Sequence, residues 1–233
     1  LEMTISGEPV VEIDIKASFL SIASANYRGN SRLGADPYKR VSFVNPSEGD
    51  EAFKRNRKAA KLLINSYFFK HGEPQKFPKG QKDKATGNTI PFKEKYQLNQ
   101  SVAHYMKQIH GAFPFLSGVK ADGMALMYEE SEIMIQAIEN LLTQGVVSYP
   151  VHDCLIVKAT DQETAIEAIQ EAMISRLGFT PALDVSWLDE NKELQSKIIS
   201  DEEYSPQNST LQAEPTDQTD TDDDGGFDVL EDY

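Results

Sequence analysis

The chain has 233 residues, a length that fits one domain or two small ones. Its single cysteine excludes an internal disulfide and indicates a reducing compartment. No apolar run approaches the roughly 20 residues that span a bilayer, and the first residues lack the layout of a signal peptide. We therefore expect a soluble, cytoplasmic protein with no membrane partner.

The net charge of −14 is unevenly distributed along the chain. Residues 200–233 hold 12 acids and no Lys or Arg, a composition that predicts a disordered acidic tail. The rest of the chain carries 25 acids against 23 bases, and residues 51–95 alone hold 12 bases and 4 acids. Such a basic block suits a polyanion-binding surface, although Lys-rich loops are also found simply solvated.

The first predicted element is a strand over residues 8–16, in which Val10, Val11, Ile13 and Ile15 surround Asp14. Residues 17–25 follow as a short helix that contains Phe19. Glycines and prolines punctuate residues 26–50, which predicts turns and loop.

A long helix is predicted over residues 50–69, because apolar residues recur at helical spacing with no Gly or Pro inside. Arg57 and Lys61 lie four residues apart on it and project from one face. That face offers two cations to one polyanion, or is an ordinary solvated face. Residues 70–96 are polar and Lys-rich, which predicts a long loop or hairpin.

Two further helices are predicted over residues 98–111 and from Asp122 or Gly123 to about Thr143. Two strands then flank a tight turn at His152-Asp153. Thr160 begins a capping-box pattern for the next helix, which Gly178 ends in a left-handed conformation. Residues 181–187 form the final predicted strand.

Asp14 and Asp153 are the candidate chemical groups, because each is an acid at the end of a short apolar strand. Two carboxylates that converge can hold Mg²⁺ or Mn²⁺ together with substrate phosphates. Two such ions activate a hydroxyl and stabilise a leaving pyrophosphate. His152 is more typical of a residue that stabilises the turn, and Cys154 of a small buried residue.

These residues resemble a known family. His152-Asp153 between apolar strands is similar to the third polymerase motif of family A DNA polymerases and of single-subunit phage-type RNA polymerases, and Asp14 with its strand is similar to their first motif. Arg57 and Lys61 resemble the fingers-helix motif that grips the triphosphate. The segment 36–38 resembles a short motif between the first two, and residues 183–187 resemble the last palm strand. The resemblance covers about residues 8–190.

Two segments resemble motifs of family B polymerases more than those of family A. The Lys61 to Tyr67 segment resembles the Lys…Asn-Ser-x-Tyr motif of that family, and Asp14 is followed five residues later by an aromatic, Phe19. The resemblance implies nucleotide contacts from Arg57, Lys61, Phe19, Tyr67 and Ile15. The Phe19 ring would then exclude a ribose 2′-hydroxyl; the alternative is that Phe19 belongs to the core. Nucleic-acid contacts are assigned to His152, Lys54, Arg55, Lys58 and Lys70.

The resemblance implies an α+β fold in which a palm-like antiparallel sheet is backed by helices. We expect the first palm part at 1–49, a reduced fingers helix and basic loop at 50–96, the second palm part at 97–199 and the acidic tail at 200–233. The family places its thumb upstream of the first motif. We therefore expect a fragment, a minimal palm-and-fingers unit or a degenerate relative.

The favoured hypothesis is a template-directed nucleotidyltransferase, a DNA polymerase of phage, plasmid or bacterial origin that acts on primer-template and deoxynucleoside triphosphates. The alternative is an inactive remnant that binds nucleic acid through residues 51–95. The segment 222–227 also resembles the acidic tips of single-strand-binding proteins, which dock replication proteins; a solubilising tail is the simpler interpretation.

Overall fold

A computed structural model describes residues 3–28, 32–70, 73–82 and 87–200. The predicted disordered tail, apart from Ser200, lies outside the described residues. The strands are β1 (Thr4–Ile5), β2 (Glu8–Ile15), β3 (Gln81–Lys82), β4 (Thr89–Ile90), β5 (Tyr149–Val151), β6 (Cys154–Lys158), β7 (Leu183–Leu188) and β8 (Leu194–Ile199). The helices are α1 (Ser18–Arg28), α2 (Asp50–Phe69), α3 (Phe92–Lys95), α4 (Val102–Ala112), α5 (Gly123–Thr143) and α6 (Gln162–Leu177).

An antiparallel sheet with strand order β5-β6-β2-β7-β8 forms the centre of the molecule, and β1 adds a hairpin to β2. Strands from both ends of the described chain therefore pair side by side. Helices α5 and α6 pack against each other, and α6 also packs on β2 and β6. This arrangement confirms the predicted α+β class with an antiparallel sheet backed by helices.

The sheet has one apolar face and one mixed face, because side chains alternate along each strand. In β2 the residues Val11, Ile13 and Ile15 are buried, and their partners across the strands, such as Leu155 and Leu183, are buried too. The intervening residues of β2 are only partly buried. The register places Asp14 opposite Cys154 on one side and Asp184 on the other. Asp14 therefore lies on the mixed face, in the middle of the sheet.

Local sequence signals account for several helix ends. The Asp122 carboxylate accepts hydrogen bonds from the backbone N–H groups of Met124 and Ala125, which caps the start of α5. Gly178 ends α6 with φ of +79°, as predicted. The predicted capping box at Thr160 is wrong, because residues 159–161 form a 3-10 turn and the Thr160 hydroxyl lies 3.5 Å from Glu8 Oε2.

The structure differs from the other predicted elements in three places. Residues 181–187 are not the last strand, since β8 follows β7 as the edge of the sheet. The helix predicted from residue 98 begins at Val102, where the Ser101 hydroxyl caps it. The segment 70–96, predicted as a loop or hairpin, contains the short β3–β4 hairpin but also the helix α3, which was not predicted. None of the described helices is both long enough and apolar enough to cross a membrane.

Candidate active site

The two predicted acids come together where β2 ends and β6 begins. Asp14 is the last residue but one of β2, and Asp153 occupies the two-residue turn between β5 and β6. The backbone N–H of Ile15 donates to the carbonyl oxygen of Asp153 at 3.1 Å, which fixes this turn beside the end of β2. Both aspartates line the same cleft, which has a volume of about 420 Å³.

The cleft gathers most of the residues predicted to bind metal or nucleotide, together with one residue predicted to contact nucleic acid. The first group is Asp14, Ile15, Phe19, Arg57, Lys61 and Asp153, and the second is His152. These residues come from three separate stretches of chain, more than 130 positions apart at the extremes. Residues that were not predicted as site residues line it too: Lys16, Ala17, Ser18, Tyr38, Asn65, Met127 and Glu130.

Arg57 and Lys61 project from one face of α2 into the cleft, as their spacing predicts. The Arg57 Nε donates to both Asp36 oxygens, at 3.0 and 2.8 Å, and its guanidinium lies 5.1 Å from the centre of the Tyr38 ring. Lys61 is exposed and forms no ion pair with another described residue within 4.0 Å. The structure therefore holds the Arg57 guanidinium in place and leaves Lys61 exposed, without an ion pair to another described residue.

The electrostatics of the cleft favour a bound cation near the two aspartates. Burial and the Asp153 carboxylate raise the pKa of Asp14 from 3.8 to about 6, although Lys16 and Lys61 act in the opposite direction. Two like charges held close in a partly buried site raise the free energy of the doubly ionised state. A divalent cation between them would relieve that repulsion.

Glu130 is a third carboxylate in the cleft, which the sequence reasoning missed. It accepts a hydrogen bond of 2.5 Å from the Ser18 hydroxyl. Burial raises its pKa from 4.5 to about 7, with further contributions from Asp153 and Asp14. The sequence contains a signal for Glu130. It lies four residues after Leu126 and three before Ile133, a spacing that places it on the same face of α5 as these two buried residues.

Lys16 and Asp184 form an ion pair beside Asp14. Asp184 lies directly across the strands from Asp14, and Lys16 lowers the pKa of Asp14 while Asp184 raises it. On balance the pair lowers the pKa of Asp14, because Lys16 acts on Asp14 more strongly than Asp184 does. Sequence patterns did not indicate this contact, since it depends on the register of β2 against β7.

The backbone of the cleft contains two left-handed residues that are not glycine. Ala17 has φ of +50° at the junction of β2 and α1, and His152 has φ of +55° in the β5–β6 turn. An alanine in this conformation costs about 1–2 kcal/mol. Both residues line the cleft, so the strained backbone lies next to the two aspartates. This position of His152 agrees with its predicted role in the turn.

Phe19 lies at the side of the cleft and is partly buried. Its ring meets the ring of Phe69 edge to face, with 5.7 Å between their centres. A Cβ added to Gly123 would lie 2.6 Å from the Phe69 ring, so α5 begins in close contact with this pair. Phe19 therefore packs against the core and also lines the cleft.

Five residues predicted to contact nucleotide or nucleic acid do not line the cleft. Tyr67 is 1% exposed, and its hydroxyl lies 2.5 Å from the carbonyl oxygens of Leu116 and Val119. It joins α2 to the segment before α5, so we do not assign it to nucleotide binding. The other four are Lys54, Arg55, Lys58 and Lys70, which lie on α2 and at its C-terminal end.

A metal site here would depend on few protein ligands. Among the described residues, no group of three or more His, Cys, Asp or Glu side chains is arranged to hold a metal ion. Asp14 and Asp153 provide two carboxylates, and Mg²⁺ is commonly held by one or two carboxylates with water and substrate phosphates as the remaining ligands. The donor set thus fits a hard divalent cation.

Comparison with known proteins gives structural likenesses to solved chains, 33 of which match. No family model matches the chain, and no curated protein matches it. A solved structure that it resembles is the POL domain of Pol1 from M. smegmatis in complex with DNA primer-template and dNTP, with 14% identity and a TM-score of 0.45. The match covers 79% of this chain and 40% of that one, so the chain spans less than half of that polymerase's length. Similarity at this level does not assign an activity to the chain.

Proposed function

We propose that the chain is a template-directed nucleotidyltransferase that adds deoxynucleotides to the 3′-hydroxyl of a primer strand. One observation carries this proposal: two strand-end aspartates and two cations from one helix face, all remote in sequence, line a single cleft. Phosphoryl transfer depends on positioning and charge stabilisation more than on a covalent nucleophile. The cleft provides carboxylates and cations in one place, which is what this chemistry requires.

Asp14 and Asp153 are the residues that would hold Mg²⁺ or Mn²⁺. When bound, the ion would neutralise phosphate charge and lower the pKa of the attacking 3′-hydroxyl. The protein orients these carboxylates and acts on the ionisation of one of them. The hydrogen bond from the Ile15 N–H to the Asp153 carbonyl holds the turn that carries Asp153, and Lys16 favours the ionised form of Asp14 by lowering its pKa.

Arg57 and Lys61 would bind the triphosphate of the incoming nucleotide. Asp36 and the Tyr38 ring hold the Arg57 guanidinium in place, so little side-chain entropy remains to be lost on binding. Lys61 is exposed and adapts to the charge that develops on the phosphates. The Lys54 and Lys58 ammonium groups extend the same stripe of α2 and would contact the nucleic-acid backbone.

Phe19 would select the sugar. Phe19 lines the cleft and its ring packs edge to face against Phe69, so a displacement of Phe19 would break that contact. A rigid apolar group beside the sugar leaves no hydrogen-bond partner for a 2′-hydroxyl. Deoxynucleotides are therefore the proposed substrates and DNA the proposed product.

The test is single-nucleotide incorporation on a labelled primer-template with Mg²⁺. The Asp14→Asn and Asp153→Asn variants should each lose at least about a thousandfold in rate, since each removes a charged ligand at the reacting phosphate. Asp50→Asn is the matched control, because Asp50 is exposed at the start of α2. Full activity in either cleft variant contradicts the proposal, and salt-sensitive binding without incorporation under any divalent ion would identify a binding module instead.

A further inference from the structure

Glu130 is an acid of the active-site cleft to which the function proposed above gives no role. Two other acids of α5 lie near it, and both form ion pairs with α6. Glu129 and Glu132 lie 3.0 and 3.6 Å from the Arg176 guanidinium. Glu130 lines the cleft instead, and it forms no ion pair within 4.0 Å with another described residue. Its neighbours therefore join the two helices, whereas Glu130 is open to the contents of the cleft.

Ser18 holds the Glu130 carboxyl in place. Ser18 begins α1, which packs on α5, and it is 5% exposed. Its hydroxyl donates to Glu130 Oε1 at 2.5 Å. The other oxygen, Oε2, accepts no hydrogen bond from another described residue. The protein thus uses one oxygen to orient the carboxyl, and the second oxygen can meet a ligand in the cleft.

The charges around Glu130 determine which ligand group suits it. Burial, Asp153 and Asp14 raise its pKa to about 7, while the Ser18 hydrogen bond and His152 act in the opposite direction. A cation bound by the two aspartates would lower this pKa again. At pH 8 the carboxyl is therefore mostly ionised, so it accepts hydrogen bonds and donates none. Because it repels phosphate oxygens, the group that suits it is an uncharged donor.

The proposed reaction contains one uncharged donor that must be oriented, the 3′-hydroxyl of the primer. We infer that Glu130 is a further catalytic residue, whose carboxylate accepts a hydrogen bond from this hydroxyl and orients it for attack on the nucleotide. A hydroxyl beside the divalent ion would lie near Asp14 and Asp153, the two acids whose charge acts on Glu130. The inference rests on the proposed function for the identity of the hydroxyl, whereas the placement of Glu130 rests on the cleft itself.

The experiment compares two primer-templates that differ by a single oxygen atom. One primer ends in the ordinary 3′-hydroxyl, and the other ends in a dideoxynucleotide that lacks it. Fluorescence anisotropy of a labelled template measures their affinities for the full chain at pH 8, with Mg²⁺ and without nucleotide, so that no incorporation occurs. A hydrogen bond to a charged group strengthens binding by about tenfold. The wild type should prefer the hydroxyl-bearing primer by about that factor.

Glu130→Gln should remove most of this preference. The glutamine oxygen can still accept from the Ser18 hydroxyl, which leaves the amide NH₂, a donor, at the position of Oε2. The matched control is Glu139→Gln on the same helix, because Glu139 is exposed and does not line the cleft. This control should keep the wild-type preference. Thermal unfolding curves verify that both variants fold.

A kinetic measurement separates orientation of the hydroxyl from binding of the nucleotide. In single-nucleotide incorporation, Glu130→Gln should lower kcat by about tenfold or more and leave the KM for deoxynucleoside triphosphate unchanged. A wild type without preference for the hydroxyl, or the same preference in Glu130→Gln, overturns the inference. An equal loss of affinity for both primers also overturns it, because Glu130 would then contact another part of the primer-template.

The binding measurement is independent of catalysis. If Glu130→Gln keeps the hydroxyl preference while Asp14→Asn and Asp153→Asn lose incorporation, the role of Glu130 is wrong and the proposed function stands. If Glu130→Gln loses the preference and Glu139→Gln keeps it, while both aspartate variants incorporate at the wild-type rate, the hydroxyl contact stands and the proposed function of the aspartates is wrong.

Discussion

Glu130 shows how a single side chain in the cleft couples stability to pH. Its carboxyl lies in the buried stripe of α5, against Ser18 at the start of α1. Burial raises the pKa from 4.5 to about 7, so the folded state binds the proton more tightly than the unfolded state. Ionisation of Glu130 therefore lowers the free energy of unfolding as pH rises from about 4.5 to about 7, and the loss is complete above that range.

Glu130→Gln should remove this pH-dependent loss. Glutamine keeps an oxygen for the Ser18 hydroxyl but cannot ionise, so the variant should be more stable than the wild type at pH 8. Solvent in the cleft screens part of this effect. We therefore expect the free energy of unfolding of the variant to exceed that of the wild type by on the order of 1 kcal/mol at pH 8, and to differ little at pH 4. Urea unfolding at both pH values measures it, with the exposed Glu163→Gln as control. Parallel pH curves for Glu130→Gln and the wild type contradict the account.

Local patterns make Asp14 and Asp153 candidate site residues, because each lies at the end of a short apolar strand and this pattern needs no knowledge of tertiary contacts. Apolar periodicity predicts α5 and its buried face but does not single out a carboxylate within that face, so it does not indicate Glu130. Asp184 could not be found at all, since its approach to Asp14 depends on strand register. Local sequence patterns thus predict some of the residues that line the cleft, but they do not predict a residue that is placed there by the pairing of strands.

Helix α2 carries different functions on opposite faces. One face presents Arg57 and Lys61 to the cleft, and the other buries Leu63, Ile64 and Tyr67 in the core. The Tyr67 hydroxyl lies between two backbone carbonyls of the segment that precedes α5, and so links α2 to that segment. The resemblance to a polymerase motif suggested a nucleotide contact for Tyr67, but the helix turns this side chain inward.

Tyr67→Phe should therefore affect folding and leave nucleotide binding unchanged. Loss of the hydroxyl removes the donor to buried carbonyl oxygens, and we expect the free energy of unfolding to fall by about 1–2 kcal/mol. Chemical denaturation measures this change, and Tyr128→Phe is the control because Tyr128 is 60% exposed. If Tyr67→Phe has unaltered stability but binds deoxynucleoside triphosphate more weakly, the prediction is contradicted and Tyr67 contributes to nucleotide binding.

Two errors at the level of elements have physical causes. Strand β8 escaped detection because Leu194–Ile199 lacks clear alternation of apolar and polar residues, as is common for an edge strand with one free side. The Thr160 pattern matched a capping box in sequence, but residues 159–161 wind into a 3-10 turn before α6 begins. Contacts with distant parts of the chain determine the position of β8 and the 3-10 turn at residues 159–161, and the local sequence does not specify those contacts.

At the scale of the whole molecule, charge is divided unevenly between residues 1–200 and residues 201–233. Residues 201–233 carry 12 acids and no base, and removal of this segment changes the net charge from −14 to −2. A tethered block of negative charge lowers the local potential and opposes association with nucleic acid.

A chain that ends at Ser200 should bind DNA more tightly than the full chain at low salt. We expect a gain of several-fold at about 50 mM salt that shrinks as salt rises, because screening weakens the effect of the acidic segment. Fluorescence anisotropy of labelled oligodeoxythymidine at two salt concentrations measures the affinity of each chain. A thermal unfolding curve verifies that the shortened chain folds. Equal affinity of the two chains at low salt contradicts this view of the charge balance.

The account depends most on the claim that Asp14 and Asp153 share a divalent cation. Electron paramagnetic resonance of bound Mn²⁺ tests it directly in the wild type, in Asp14→Asn, in Asp153→Asn and in the double variant. Because one ion would touch both carboxylates, each single change should weaken binding about tenfold or more, and the double change should cost less than the sum of the two. If only one aspartate affects Mn²⁺ affinity, or if the two effects simply add, the two acids do not act on the same ion.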